Sequence, residues 1–371
     1  MSQSIPFMRL DRQFAAHKDD FMAAVETVFS HGGVLQGKEV VQLEERIAGF
    51  MDLKAGAAVG SGTDALVLAL TAAGIQPGDK VAVTSLSFMA SASAIVLAGG
   101  VPVFVDVDER DYQARGDLLA ELASSGKVRG ILAVHLYGQL ADLSAVREAA
   151  DKSGAFLVED CAQVLGAARD GAFPGRGARA VCVSFDPTKV IGAQGSGGMV
   201  LSDDEELIER VRRLRYHGHA GGRVYTEIGR NSQLPTVQAA LLSVKLDHEL
   251  EWRRRRQDIA QAYTEALAGH PAIQAPRVSD GAEHIFHKYV MRVPENRDGL
   301  AAFLKERGVA TSVHYSKPLP EQPCLKNACE VHGGLDTVFR LTREVLSLPI
   351  YPELTEDEVA SICTALQDWR G

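Results

Sequence analysis

Ala180-Val-Cys-Val-Ser-Phe-Asp-Pro-Thr-Lys189-Val-Ile-Gly-Ala-Gln-Gly-Ser-Gly-Gly-Met-Val-Leu-Ser202 joins two short apolar runs through a lysine and a glycine-rich turn. The first run closes on a hydroxyl, Ser184, and the second opens at Gly198. Runs of four or five apolar residues bounded by turn residues read as strands buried on both faces. Working back along the chain, similar runs occur at 57–59, 80–84, 101–105, 130–134 and 156–158. Between most of them lie segments with helical spacing, among them 63–73, 87–97, 142–153 and 203–217. Strands alternating with crossover helices predict an α/β domain built on a mainly parallel sheet of seven strands. Ligands of such sheets gather at the carboxyl ends of the strands, so the polar residues closing each run are the candidates for chemistry.

Beyond residue 202 the pattern changes. A glycine-rich loop at 218–234 precedes a long helical stretch over 235–268, with Pro235 near its start, where proline is tolerated. After Pro271 the chain reads as strand (286–293), helix (298–307), strand (309–314), strand (345–348) and a terminal helix (355–369). The expected organisation is an N-terminal segment with a large α/β domain over 1–245, followed by a smaller α+β domain over 246–371.

Composition narrows the class. The net charge of −9 argues against non-specific nucleic-acid binding. No stretch approaches the roughly eighteen uninterrupted apolar residues of a membrane span. The five cysteines are an odd number without framework spacing, and the first twenty residues carry charges where a signal peptide needs its apolar region. Both point to a reduced, cytoplasmic protein.

Six features at or just beyond strand ends stand out. Gly60-Ser-Gly62-Thr63-Asp64-Ala65 follows a strand and opens a helix; its free N–H groups and the helix dipole make an anion site, or Ser61 or Thr63 simply caps the helix. It also matches a dinucleotide fingerprint, but Asp79 precedes the next strand instead of closing it, and a nicotinamide enzyme would leave Lys189 and Asp160 unexplained. Asp160 ends one strand, where a carboxylate is costly unless paired, or else it caps the next helix. Ser184 ends another, Phe88 opens the helix after 80–84, and Lys189 comes five residues after Ser184. His135 also closes a strand, where a structural role is the commoner one. An anion site, an acid, a hydroxyl, an aromatic ring and a lysine form the set that pyridoxal phosphate requires: the phosphate takes the helix start, the aldehyde takes the amine, and the pyridinium takes the carboxylate.

With these residues in view, the chain resembles the DegT-type pyridoxal-phosphate sugar aminotransferases, which share the aspartate-aminotransferase (type I) fold. The matches run in order from Ile5-Pro-Phe7 through Gly62-Thr-Asp64, Phe104-Val-Asp-Val-Asp108, His135-Leu-Tyr-Gly138, Glu159-Asp160, Ser184-Phe185 and Lys189. They continue through Gly229-x-Asn231, Gln238-Ala-Ala240, His314-Tyr315 and Leu346-Ser-Leu-Pro-Ile-Tyr351. The resemblance implies that Lys189 carries the cofactor and moves the proton, Asp160 holds its ring nitrogen, Phe88 lies on its ring face and Gln163 sits near its ring hydroxyl. It implies that Gly62, Thr63 and Ser184 bind the phosphate, and that Asn231 reaches across to the phosphate of a second subunit in a homodimer with composite sites. His217, His314 and Tyr315 are implied substrate contacts. The implied reaction carries an amino group from an amino acid, usually L-glutamate, to a keto-sugar, commonly nucleotide-linked; cyclitols and sugar acids also occur as acceptors. A dehydratase branch carries histidine at the lysine position, so Lys189 favours transamination, with non-enzymatic regulators a minor branch. Ser196, Gln233, Cys161 and Tyr216 depart from the common pattern. Cys324-x4-Cys329-x2-His332 offers three zinc ligands with irregular spacing and no clear fourth, so no metal is expected. Arg253–Arg256 read as residues spread around a solvated helix start.

Overall fold

A computed structural model describes residues 4–371. Ten strands form two sheets: β1 (Ala55–Val59), β2 (Lys80–Thr84), β3 (Val101–Val105), β4 (Gly130–Val134), β5 (Phe156–Asp160), β6 (Ala180–Ser184), β7 (Gly198–Ser202), β8 (Tyr289–Arg292), β9 (Glu330–Val331) and β10 (Val345–Leu348). The large sheet has the order β1-β7-β6-β5-β4-β2-β3-β9. β7 runs antiparallel to both its neighbours, and all other pairings in this sheet are parallel. The seven expected strands are all present. The eighth, β9, is a two-residue addition at the edge, too short and too polar to carry a sequence signal of its own.

The strands form where the sequence places them because nearly every residue in them is buried on both faces. The reversal of strand order lies between β4 and β2, so the segments leaving β2, β5 and β6 converge on one side of the sheet. β8 and β10 pair antiparallel in the small sheet. A separate core gathers there around Tyr263, Tyr289, Leu300, Leu346 and Ile362, and it draws in Ile5 from the start of the chain.

Several boundaries differ from expectation. The stretch 235–268 is two helices, Thr236–Asp247 and Glu249–Ala266, broken at His248. The break falls beside the division we propose between residues 245 and 246. Residues 309–314 are not a strand: they make single bridges, Ile5 with Val309 and Ser312 with Ser347, and bend into the cavity described below. Leu319, Leu325, Val338 and Leu341 return from the C-terminal part to pack on the large-sheet core. Three N-terminal helices, Leu10–Ala16, Lys18–His31 and Lys38–Phe50, had no expectation attached. Among the described residues, no helix is long and apolar enough to cross a membrane.

Candidate active site

At the carboxyl ends of β2, β5 and β6 lies a cavity of about 610 Å³. Of the expected site residues it brings together Gly62, Thr63, Phe88, Asp160, Gln163, Ser184, Lys189, His314 and Tyr315. Asn231 and His217 are exposed and do not line it.

The corner at 61–63 is fixed by sterics and capping. Ser61 is the N-cap of the helix Gly62–Ala72 and accepts from the Asp64 N–H at 3.0 Å, while the Ala65 N–H goes to the Ser61 carbonyl. The cap therefore coexists with the anion site, leaving the Gly62 and Thr63 N–H groups as first-turn donors without an intrahelical partner. A Cβ at residue 62 would lie 2.6 Å from the Ser184 side chain, so only glycine lets the helix start meet the end of β6. Gly198 is required on the other side for the same reason: a Cβ there would lie 2.4 Å from the Ser61 carbonyl oxygen.

Asp160 is buried at the end of β5. Its oxygens accept from Ser91 Oγ at 2.9 Å and from the Ala162 N–H at 3.1 Å. Burial pushes its carboxyl above the usual range, and these two hydrogen bonds and the Lys189 charge only partly offset that. Burial equally lowers the Lys189 amine below the ordinary lysine range, against the pull of Asp160 and Asp186. An acid and an amine destabilised in their charged forms by the same cavity are typical of sites where protons move. Phe88 presents a ring that is 57% exposed, tilted against Tyr315 at 6.4 Å.

The opposite wall hangs on Tyr137, which sits at a positive φ of 62°. Its N–H donates to Gln163 Oε1 at 2.8 Å and its hydroxyl to the His314 carbonyl. Those bonds hold a non-glycine residue in a conformation that side chains disfavour. Gln163 Nε2 reaches the Tyr315 hydroxyl at 3.4 Å. His314 stacks on Phe7 and bonds Ser347 Oγ through Nδ1 at 2.9 Å. Burial, with the positive charges of Lys288 and Lys189, lowers its pKa to about 4, so the ring is neutral near pH 7.

The loop carrying Asn231 is tied back to the same corner through its neighbours. Arg230 pairs with Asp64 at 3.1 Å, and Ser232 Oγ donates to Asp64 at 2.8 Å. Asn231 itself points outward and accepts from Gln233 at 3.1 Å. Of the departures from the common pattern, Ser196 lines the cavity, Cys161 is fully buried behind it and Tyr216 bridges Asn231 at the surface.

Ser91, Ser87, His287 and Lys288 also line the cavity and were not anticipated. Ser91 is one turn into a helix, where a serine carries no periodic signal. His287 and Lys288 flank a strand start, and only tertiary packing turns them inward. Cys324, Cys329 and His332 do not converge: Cys324 is exposed and His332 pairs with Glu121 at 3.3 Å. The arginines at 253–256 diverge around their helix as expected, Arg253 to Glu249 and Glu283, Arg255 to Glu356 and Arg256 to the Ile350 carbonyl. They are not a solvated helix start, however: the helix begins at Glu249 and Arg256 is buried.

A lysine, an acid and a helix start gathered at the strand ends of one sheet form the arrangement that the sequence resemblance implied. A profile of the DegT/DnrJ/EryC1/StrS aminotransferase family matches residues 15–367, and the chain belongs to that family. It is 39% identical to the pleiotropic regulatory protein of Geobacillus stearothermophilus, over 96% of this chain and 95% of that one. It is 36% identical to the dTDP-3-amino-3,4,6-trideoxy-alpha-D-glucose transaminase of Streptomyces venezuelae, over 98% and 96%. Among solved structures, S. venezuelae DesV in complex with a ketimine intermediate superposes with a TM-score of 0.94 at 35% identity, covering 99% of this chain and 98% of that one. Bacillus subtilis NtdA with bound cofactor PMP gives 0.89 at 26% identity, covering 99% and 85%.

Proposed function

We propose that the protein is a cytoplasmic, pyridoxal-phosphate-dependent aminotransferase that carries an amino group from an amino acid, usually L-glutamate in such enzymes, to a nucleotide-linked keto-sugar in amino-sugar biosynthesis. The observation that carries this reading is the placement of Lys189 and Asp160 in one cavity with the Gly62–Ser184 corner. Three features of the cavity fit the cofactor. The Asp160 carboxylate is buried with two hydrogen bonds and no paired cation among the described residues, and a protonated ring nitrogen would complete it. The Phe88 ring is bare on a cavity wall. The helix start at 62–63 presents open donors to a phosphate.

On this reading Asp160 holds the ring nitrogen, Ser91 orients Asp160, Phe88 lies against the ring, and Gln163 faces the ring hydroxyl. Gly62, Thr63 and Ser184 hold the phosphate, joined by Asn231 of the partner subunit in a homodimer. When bound, the cofactor supplies an electron sink that makes the α-hydrogen of an amino acid removable. Lys189 Nζ takes that proton from the donor's α-carbon, and in the return half-reaction delivers one to the acceptor carbon receiving the amine. Its lowered pKa suits both directions, since a base poised nearer neutrality both takes and gives. Tyr137 holds His314 in the cavity wall, where the neutral His314 ring can donate to or accept from a sugar hydroxyl without adding charge.

A panel of nucleotide-linked keto-sugars tests the reading. The expected result is that at least one acceptor restores the cofactor's original absorption band after the enzyme has been converted to its amine form. Failure to form the amine form with any amino acid would overturn it.

A further inference from the structure

Lys288 is buried to 7% exposure and lines the cavity, yet no carboxylate or carbonyl accepts from its ammonium among the described residues. Its nearest described partner is the Phe7 ring, 5.1 Å from Nζ. An unpaired buried cation is costly, and a site that keeps one is built for an anion that arrives later. Phe7 stacks on His314, whose carbonyl accepts from the Tyr137 hydroxyl, so the ammonium lies on that wall, and the main chain agrees. The Lys288 N–H donates to the Tyr137 carbonyl at 3.0 Å, the Ile285 N–H donates to Gly138, and the Tyr137 N–H donates to Gln163. Lys288 is thereby tethered to the Tyr137–Gln163 wall and has no hydrogen bond to the 61–63 corner, where an anion already has its own donors.

Within the chain's own described residues, no other positive group serves this wall. Among the described residues, no arginine lines the cavity. Lys189 is committed to the proton, and His287 and His314 have pKa values lowered by burial, so both rings are neutral near pH 7. Resting on the aminotransferase reading, we propose that Lys288 anchors the α-carboxylate of the amino donor, on the wall facing the carbon from which Lys189 takes the proton. A carboxylate next to the reacting carbon is the group that every α-amino acid donor brings, whereas a nucleotide-linked sugar carries its charge on a diphosphate away from the carbon that receives the amine.

The holoenzyme's conversion to its amine form, followed by absorbance on rapid mixing, tests this with L-glutamate and with L-glutamic acid α-amide, in which only the α-carboxylate is neutralised. The unsubstituted enzyme is expected to prefer glutamate, and Lys288→Met to lose about 10–100-fold in kcat/KM on glutamate, with little change on the amide. Lys288→Arg restores part of the loss, and the KM for the keto-sugar stays within about twofold.

A second measurement compares the pH dependence of that preference in the unsubstituted enzyme and in Lys288→Met. Burial, with the charges of Arg256 and Lys189 and against that of Asp186, lowers the Lys288 pKa to about 7; His287 and His314 also face it. The charged form that binds a carboxylate is present below that pKa, so the preference for glutamate over its amide falls more steeply with rising pH in the unsubstituted enzyme than in Lys288→Met, where only the donors' own amines titrate. An unchanged preference in a transaminating Lys288→Met enzyme overturns the proposal, as does the same pH dependence in both enzymes. A loss confined to the keto-sugar KM also overturns it and assigns Lys288 to an anionic group of the acceptor, its diphosphate or a sugar carboxylate. No amine form with either donor in the unsubstituted enzyme would refute the aminotransferase reading itself.

Discussion

Glu159 and Asp160 are adjacent carboxylates at the end of one buried strand, and they point to opposite faces of the sheet. Glu159 is fully buried, bonded to His135 at 2.9 Å and to Arg147 at 3.2 Å, and His135 Nδ1 accepts in turn from the Ala141 N–H. Burial pushes its carboxyl up, but the His135 hydrogen bond and the Arg147 charge outweigh it and hold the group below the usual carboxylate range. Asp160 has no such partners and is held above that range. The two residues share a backbone, a burial and a chemistry, and differ in how far their charge is answered within the chain. A structural carboxylate is completed by its own protein. One kept for a ligand is left incomplete, and its environment destabilises it until the ligand comes.

That difference can be broken by substitution. Lys189→Ala, at the incomplete site, is expected to lower transamination by about 10⁴-fold or more and to abolish the lysine-linked absorption band. Full activity in that variant would defeat the mechanism. Asp160→Asn should lower kcat by about 10²–10⁴-fold while leaving the melting temperature near that of the parent, since the neutral amide relieves an uncompensated charge.

Glu159→Gln should do the reverse, costing about 3 kcal/mol of stability in denaturant unfolding with little effect on kcat, because it strands His135 and Arg147. Its pH signature comes from the lowered pKa. Between the folded and unfolded values the folded state binds fewer protons, so stability rises with pH there and is lost as pH falls below about 4. The variant should therefore show a shallower acid limb. A kcat loss in Glu159→Gln matching that of Asp160→Asn would erase the distinction. The smallest effect is expected for Ser91→Ala, about 10-fold in kcat, because Asp160 keeps its Ala162 bond and loses one orienting hydroxyl.

The ring of candidates around Lys189 was legible because parallel strands bury both faces, so a polar residue closing an apolar run has few reasons to be there other than a ligand. Seven strands came from the same runs. Elsewhere the signal was weaker. The helix break at His248 leaves helical spacing on both sides, and residues 309–314 carry strand-like composition but are pulled into the cavity wall by Ser347 and Ile5. The helices Leu10–Ala16 and Lys18–His31 bury few side chains, so their periodicity is diluted, whereas Lys38–Phe50 carries a regular buried face at Val40, Leu43, Ile47 and Ala48 that the sequence did show.

What the sequence determined by itself is the sheet, the lysine and the acid that belongs with it, because strand burial and the cost of a buried charge act locally along the chain. What the tertiary structure decided is which of two neighbouring carboxylates is answered and which buried lysine is not. Ser91, His135, Arg147 and Lys288 acquire their meaning only from partners distant in the chain, and a group's charge is set by everything packed against it.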